Sequence, residues 1–182
     1  SPPDGYTLVV SGVASHAIAP SLAAKPPFDP LKDFTRIALF GGPPAVLGVH
    51  PSMPVKDLKS FVAFAKARPG QLSYGSPGNG TQGHLVAELF TQTTGLKLIH
   101  VPYKGAALAM VDIVAGHIHA ISTTLTTASG QIKAGRVRGL AISSEGKLAD
   151  YPGIPTFKDV GDPNLVGTVW FSLSGPGGVP AD

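Results

Sequence analysis

Between residues 45 and 143 short apolar, β-branched stretches alternate with stretches of helical period, and this rhythm limits the possible folds more than any other feature of the chain. Residues 45–49 read as a strand. Val55, Leu58, Phe61, Val62 and Ala65 then recur at helical spacing with Lys56, Lys59 and Lys66 opposite, Pro54 near the first turn and Pro69-Gly70 as the stop. Residues 72–74 are again strand-like, Gly75 to Thr81 form a glycine turn, and Leu85, Val86, Leu89 and Phe90 build a second amphipathic helix that ends at Gly95. The sequence continues with a strand at 97–101, a helix at 105–115, a strand at 118–122, a short helix at 128–133 and a strand at 137–143. Strands that alternate with helices at this period imply an α/β fold with mostly parallel sheets. Outside this stretch, residues 6–10 and 36–40 read as strands, with Gly41-Gly42-Pro43-Pro44 separating the latter from residue 45. From Ser144 onward Pro- and Gly-rich loops carry a short helix near 156–160 and a strand near 168–173, and no internal repeat is present.

Composition narrows the class further. The chain has 182 residues, of which 23 are glycine and 18 proline. That is well above the usual share of about 12%, and without periodicity the excess belongs in turns. With 43% apolar and 14% charged residues and no apolar run of about 18, neither a disordered chain nor a helical membrane span fits. The net charge of +3 comes from 14 basic and 11 acidic residues spread along the chain. The densest basic cluster is Arg136 and Arg138 around one valine, with no interleaved aromatics, so a nucleic-acid partner is not expected. The absence of cysteine removes disulfides, thiol nucleophiles and Cys-ligated zinc. The opening Ser1-Pro2-Pro3-Asp4-Gly5 has neither a charged nor an apolar leader region, and reads as the interior of a longer protein.

The densest cluster of candidate chemistry is Gly75 to His84, where Gly78-x-Gly80-x-x-Gly83 stands between a strand and a helix, at the spacing of a dinucleotide fingerprint. That fingerprint needs an acidic residue at the end of the next strand. Here Val101-Pro102-Tyr103-Lys104 follows, with no carboxylate before Asp112. Gly75-x4-Gly80-Thr81 also mimics a phosphate loop but lacks its lysine. An α/β enzyme domain binding a nucleotide at the Gly75–Gly83 turn is therefore only the weaker alternative. The turn feeds a helix N-terminus, so unpaired amides and the hydroxyls of Ser76 and Thr81 could converge on an anion. Equally, Thr81 could cap its own helix and the glycines simply make the turn.

Other candidates are weaker. His84 sits one turn into the helix and reads as a packing histidine, while His117-x-His119 places two imidazoles on one strand face without a third ligand, so no metal site is expected. Lys104 is either a solvated lysine or a counter-ion. Glu88 and Asp112 read as separate helix-surface carboxylates rather than an acid/base pair. No catalytic machinery and no cofactor are expected.

The run Leu72-Ser73-Tyr74-Gly75-Ser76-Pro77-Gly78-Asn79-Gly80-Thr81-Gln82-Gly83-His84-Leu85, followed by His100-Val101-Pro102-Tyr103-Lys104-Gly105, resembles the solute receptors of tripartite tricarboxylate transporters, the Bug/TctC type. The resemblance extends to Asp4-Gly5-Tyr6-Thr7-Leu8, Lys32-Asp33-Phe34, Lys66-Ala67-Arg68-Pro69-Gly70, Ala134-Gly135-Arg136-Val137-Arg138, Pro155-Thr156 and Trp170-Phe171. It implies a periplasmic, type II-like two-lobed clamshell that passes a small carboxylated solute to membrane permease subunits. By the same resemblance residues 1–44 and 144–182 form a partial first lobe, 45–143 an inserted second lobe, and the chain is truncated at both ends. An incomplete lobe of this sort is expected to expose a sheet edge and apolar surface. Ligand contacts implied by the resemblance fall on Ser76, Gly78, Gly80, Thr81, Gly105 and Ala106, with Ser11 and His16 from the first lobe. Ala106 replaces a serine common in the family. Ser122-Thr123 stands where many members carry Phe-Asp, so Thr123 takes the place of an aspartate that can meet an amine. The implied ligand is therefore a dicarboxylate, tricarboxylate or aromatic acid without a cationic amine.

Overall fold

The computed structural model describes residues 1–179. In chain order its elements are β1 (Val9–Gly12), α1 (Ala19–Leu22), β2 (Phe34–Gly41), β3 (Ala45–Val49), α2 (Leu58–Lys66), β4 (Ser73–Ser76), α3 (Gln82–Thr94), β5 (Ile99–Pro102), α4 (Ala106–Ala115), β6 (Ala120–Thr124), α5 (Leu125–Lys133), β7 (Arg138–Ile142) and β8 (Phe171–Pro176). They group into two compact units, one of Ser1–Gly42 with the chain from Val169 onward, the other Pro43–Thr168.

The larger unit is a five-stranded sheet in the order β5-β4-β6-β3-β7. β4 pairs parallel with β5 and β6, whereas β3 pairs antiparallel with both β6 and β7. The sheet is thus mixed. β4 to β7 share one direction, as strands linked by crossover helices must, and only β3 runs against them. An alternating pattern does not encode the direction of its first strand, which arrives from the other unit rather than from a helix. Side chains of β3 alternate between two apolar layers. Leu47 and Val49 join Phe61, Tyr74, Ala87 and Phe90 beneath α2 and α3, and Val46 joins Ile113, Ile121 and Leu125 beneath α4 and α5. With both faces covered, every residue of β3 is buried.

Helix ends follow local chemistry. Asp57 caps α2 by accepting from the Ser60 amide, while the Ser60 hydroxyl accepts from the Asp57 amide in return. α3 and α4 end on Gly95 and Gly116, with φ of 68° and 77°, left-handed values that glycine adopts without steric cost.

The boundary near residue 144 expected from the sequence does not coincide with the one in the structure. Residues 144–168 pack on the five-stranded sheet: the Phe157 amide donates to the Ile142 carbonyl at 3.0 Å and the Gly167 amide to the Ser143 carbonyl at 2.9 Å. Phe157 and Leu165 complete the core under α2 and α3. The Pro- and Gly-rich texture marks a stretch without long elements, not a change of unit. Residues 180–182, the end of the expected first-lobe segment, lie outside the described residues.

The smaller unit holds an antiparallel sheet in the order β1-β8-β2, so parallel pairing does not extend to it. Two register shifts interrupt the β2–β8 ladder. Leu39 and Phe40 of the edge strand β2 are 71% and 58% exposed. Residues Ala14–Ile18 form a single π-helical turn that continues into α1.

Candidate functional site

Parallel pairing brings the carboxyl ends of β4, β5 and β6 to one edge of the large sheet. Ser76 stands opposite Pro102, and Gly75 opposite Ile121. Each strand leads into a helix, so α3, α4 and α5 all begin at this edge. Helix N-termini present amides without intrahelical acceptors and a partial positive charge, which suits an anion. The two sequence motifs meet there. The Tyr103 amide donates to the Ser76 carbonyl at 3.1 Å and the Gly105 amide to the Pro77 carbonyl at 2.9 Å. Side chains are excluded by contact: a Cβ on Gly78 would stand 3.0 Å from the Tyr103 carbonyl oxygen, and one on Gly83 only 2.2 Å from the Ser122 carbonyl oxygen. The start of α3 thus lies backbone against backbone on β6.

Most of the expected anion donors of the glycine turn are engaged within the protein. The Ser76 hydroxyl lies 2.7 Å from His100 Nε2 and accepts from the Gly78 amide at 3.2 Å. The Thr81 hydroxyl donates to the Gly78 carbonyl at 2.7 Å and accepts from the His84 amide at 3.4 Å. Gly80, with φ of 72°, donates its amide to His84 Nδ1 at 3.1 Å. The capping role of Thr81 is therefore the one its geometry fulfils, and the Gly80 amide faces an imidazole rather than open space. Thr81→Ala should cost about 1 kcal/mol, read as a lower urea midpoint with an unchanged slope.

Other groups near the edge lack a hydrogen-bond partner. Gly105 caps α4 without a side chain, so Ala106 and the next amides have no side-chain acceptor. Among the described residues, the buried hydroxyls of Ser122 and Thr123 and the buried Oε1 of Gln82 have no hydrogen-bond partner. Thr123 stands opposite Val46, on the α4 and α5 side, and Ser122 opposite Leu47, on the α3 side. Buried polar atoms ordinarily have a partner, and these two orphans lie back to back on opposite faces of β6. Ser122 was not singled out from sequence as a site residue; the signal available was a strand core closing on consecutive hydroxyl residues.

A second layer of polar contacts stiffens the edge from below. The Tyr74 hydroxyl donates to Glu88 Oε1 at 2.5 Å, and the Tyr103 hydroxyl to Asp112 Oδ2 at 2.6 Å, with His117 Nδ1 3.2 Å from Asp112 Oδ1. Burial first, then the bond to Glu88, push the Tyr74 phenol up, and burial and Asp112 push Tyr103 up to about 12. In turn the Tyr103 hydroxyl, followed by His117, holds Asp112 below the ordinary carboxylate range. Glu88 and Asp112, which read as solvated helix carboxylates, are thus anchors for the tyrosines flanking the turn. The Tyr74, His100 and His84 rings form a continuous stack, with centroids 4.8 and 4.3 Å apart. The described residues contain no cluster of metal-ligating side chains, and His117 and His119 are held by Asp112 and Ser73 respectively.

Ser11 and His16 belong to the smaller unit and meet each other. The Ser11 hydroxyl lies 3.2 Å from His16 Nε2 and donates to the Ser174 hydroxyl at 3.1 Å. His16 packs edge-on against Phe34 at 4.5 Å and lines a 590 Å³ cavity with Arg36, Trp170 and Ser172. Burial, and secondarily the Arg36 charge, hold the His16 imidazole below its usual range.

The architecture is that of the type II periplasmic binding proteins. It is similar to a solved periplasmic transporter with a TM-score of 0.95 at 39% identity, covering 99% of this chain and 60% of that one. A Rhodopseudomonas palustris protein, Rpa4515, solved with adipate, matches with a TM-score of 0.95 at 31% identity, covering 100% and 60%. Among curated relatives, Protein BugT of Bordetella pertussis is 34% identical over 176 residues, 96% of this chain and 54% of that protein. The model of the tripartite tricarboxylate transporter family receptors matches residues 1–182, and the chain belongs to that family. It spans about half the length of the curated relatives it matches. The family is one of transport receptors, not enzymes, and the nucleotide-enzyme alternative is set aside.

Proposed function

We propose that the chain is part of a periplasmic receptor that captures a small organic carboxylate and hands it to the permease subunits of a tripartite tricarboxylate transporter. The observation that carries this reading is the edge of the large sheet, where α3, α4 and α5 all begin and the first amides of α4 have no side-chain cap. Hydroxyls and amides are the groups a carboxylate accepts from, and each charge-assisted bond contributes about 1.5–3 kcal/mol. In this assignment the ligand meets the open amides at the start of α3 and α4, beside Gly105 and Ala106, and the end of β6. Ser76, Gly78, Gly80 and Thr81 shape the turn on which it rests. Ser11 and His16 are assigned as ligand contacts within the smaller unit, on the cavity they line there. β6 closes on Ser122-Thr123-Thr124 with no carboxylate to receive an amine, so the solute is a plain dicarboxylate, a tricarboxylate or an aromatic acid. Adipate in the Rhodopseudomonas palustris relative supports this class. Native mass spectrometry of the full-length receptor, purified without added solute, tests the reading. A retained carboxylic acid is the expected result, and a retained nucleotide would overturn it.

A further inference from the structure

Two histidines near the glycine turn have no role in the reading above, yet each holds a polar group of the turn. His84 Nδ1 accepts from the buried amide of Gly80 at 3.1 Å, and His100 Nε2 lies 2.7 Å from the Ser76 hydroxyl. The rings stack with centroids 4.3 Å apart and planes inclined by 18°. A nitrogen that accepts an N–H bond carries no proton of its own, which fixes the neutral His84 ring with its proton on Nε2. Once Nδ1 is protonated it becomes a donor facing a donor, and the Gly80 bond must break. Gly80 cannot easily make another bond, because its left-handed backbone is built into the turn. We infer that His84, braced by the ring of His100, is a proton-sensitive positioning residue: it holds the glycine turn in its binding shape only while Nδ1 is unprotonated, so that solute capture weakens as the ring takes up a proton. The loss of capture rests on the receptor reading above, whereas the effect on the turn stands independently.

The titratable and charged neighbours of the pair come from three elements. Glu88 lies one turn further along α3, Tyr74 on β4 is stacked on His100 and donates to Glu88, and His100 itself stands on β5. Burial first, and His84 second, lower the His100 imidazole from its ordinary value, with Glu88 opposing. For a histidine lowered in the fold, the unfolded chain binds the proton more readily. Its contribution to stability is therefore fully present above the ordinary value of about 6.5 and is lost as pH falls through the folded one. Stack and turn are thus expected to loosen together on acidification.

Nuclear magnetic resonance of the ¹⁵N-labelled chain tests this, with His84→Asn and His84→Leu beside the parent. Asparagine places an amide oxygen close to the position of Nδ1 but does not titrate. In the parent, the Gly80 amide is expected to move and to exchange faster with water between about pH 7.5 and about pH 5. In His84→Asn that response should vanish while the turn persists, and in His84→Leu the amide should exchange rapidly throughout. A Gly80 amide indifferent to pH in the parent, or an unchanged response in His84→Asn, would overturn the inference. In the full-length receptor, adipate affinity should weaken roughly threefold to tenfold over the same range, the worth of one hydrogen bond, and stay flat in His84→Asn. An affinity that falls equally in both proteins would also overturn it. If adipate and related dicarboxylates bind at neither pH, the receptor reading fails, and the Gly80 amide alone decides the role of His84.

Discussion

A Gly83→Val receptor is expected to lose solute binding entirely. The first branch point of the new side chain would fall 2.2 Å from the Ser122 carbonyl oxygen and 3.0 Å from a ring carbon of Pro77. Neither obstacle is a flexible side chain that can turn away. The start of α3 would have to lift from β6, carrying the Gln82 and Gly83 amides off the edge and opening the contact between the two motif loops. Overpacking of this sort typically costs about 1–3 kcal/mol, and a backbone obstacle places the change at the upper end. Gly83→Ala meets the same oxygen and should show the same direction with less displacement. Calorimetric titration gives the loss of binding, and far-ultraviolet circular dichroism separates it from global unfolding. Binding at parental affinity in Gly83→Val would mean that the α3–β6 contact does not shape the site.

Truncating Phe90 to alanine should cost about 3–5 kcal/mol. Phe90 is 2% exposed on the inner face of α3, with ring centroids 6.5 Å from Phe61 and 5.8 Å from Phe157. It therefore ties together α2, α3 and the 144–168 stretch. Removing it leaves a cavity that the sheet beneath cannot close, since β3 and β4 are pinned by pairing on both sides. The urea midpoint should drop accordingly, and a change below about 1 kcal/mol would show that residues around Phe157 are not part of the same cooperative core.

Much of this architecture is legible in the sequence because its punctuation is local. Pro69-Gly70, Gly95 and Gly116 stop helices at or near the positions where the structure stops them, and residues 45–49 form β3 with the boundaries read from the residues. Features that depend on distant partners are not legible in this way. The direction of β3 is set by β6 and β7, which pair with it more than seventy residues later in the chain. The allegiance of residues 144–168 depends on where Phe157 finds a core, and nothing in a Pro- and Gly-rich stretch states that. At the candidate site the turn itself is visible, since glycines flank a strand-to-helix junction. What its donors bind is not, because Gly80 meets His84 and Ser76 meets His100 only after β5 has been laid beside β4. The tyrosine–carboxylate pairs are hidden for the same reason: Glu88 and Asp112 look solvated until Tyr74 and Tyr103 are placed beside them.

The proposed preference for a carboxylate without an amine rests on the Ser122-Thr123 pair, which puts no carboxylate near the carboxyl end of β6. Calorimetric titration of the full-length receptor with adipate and shorter unsubstituted dicarboxylates, set beside aspartate and glutamate, tests that assignment most directly. Binding of at least one unsubstituted dicarboxylate, unmatched by either amino acid, is the result this assignment predicts. Tight binding of aspartate or glutamate with none for the unsubstituted acids would contradict it.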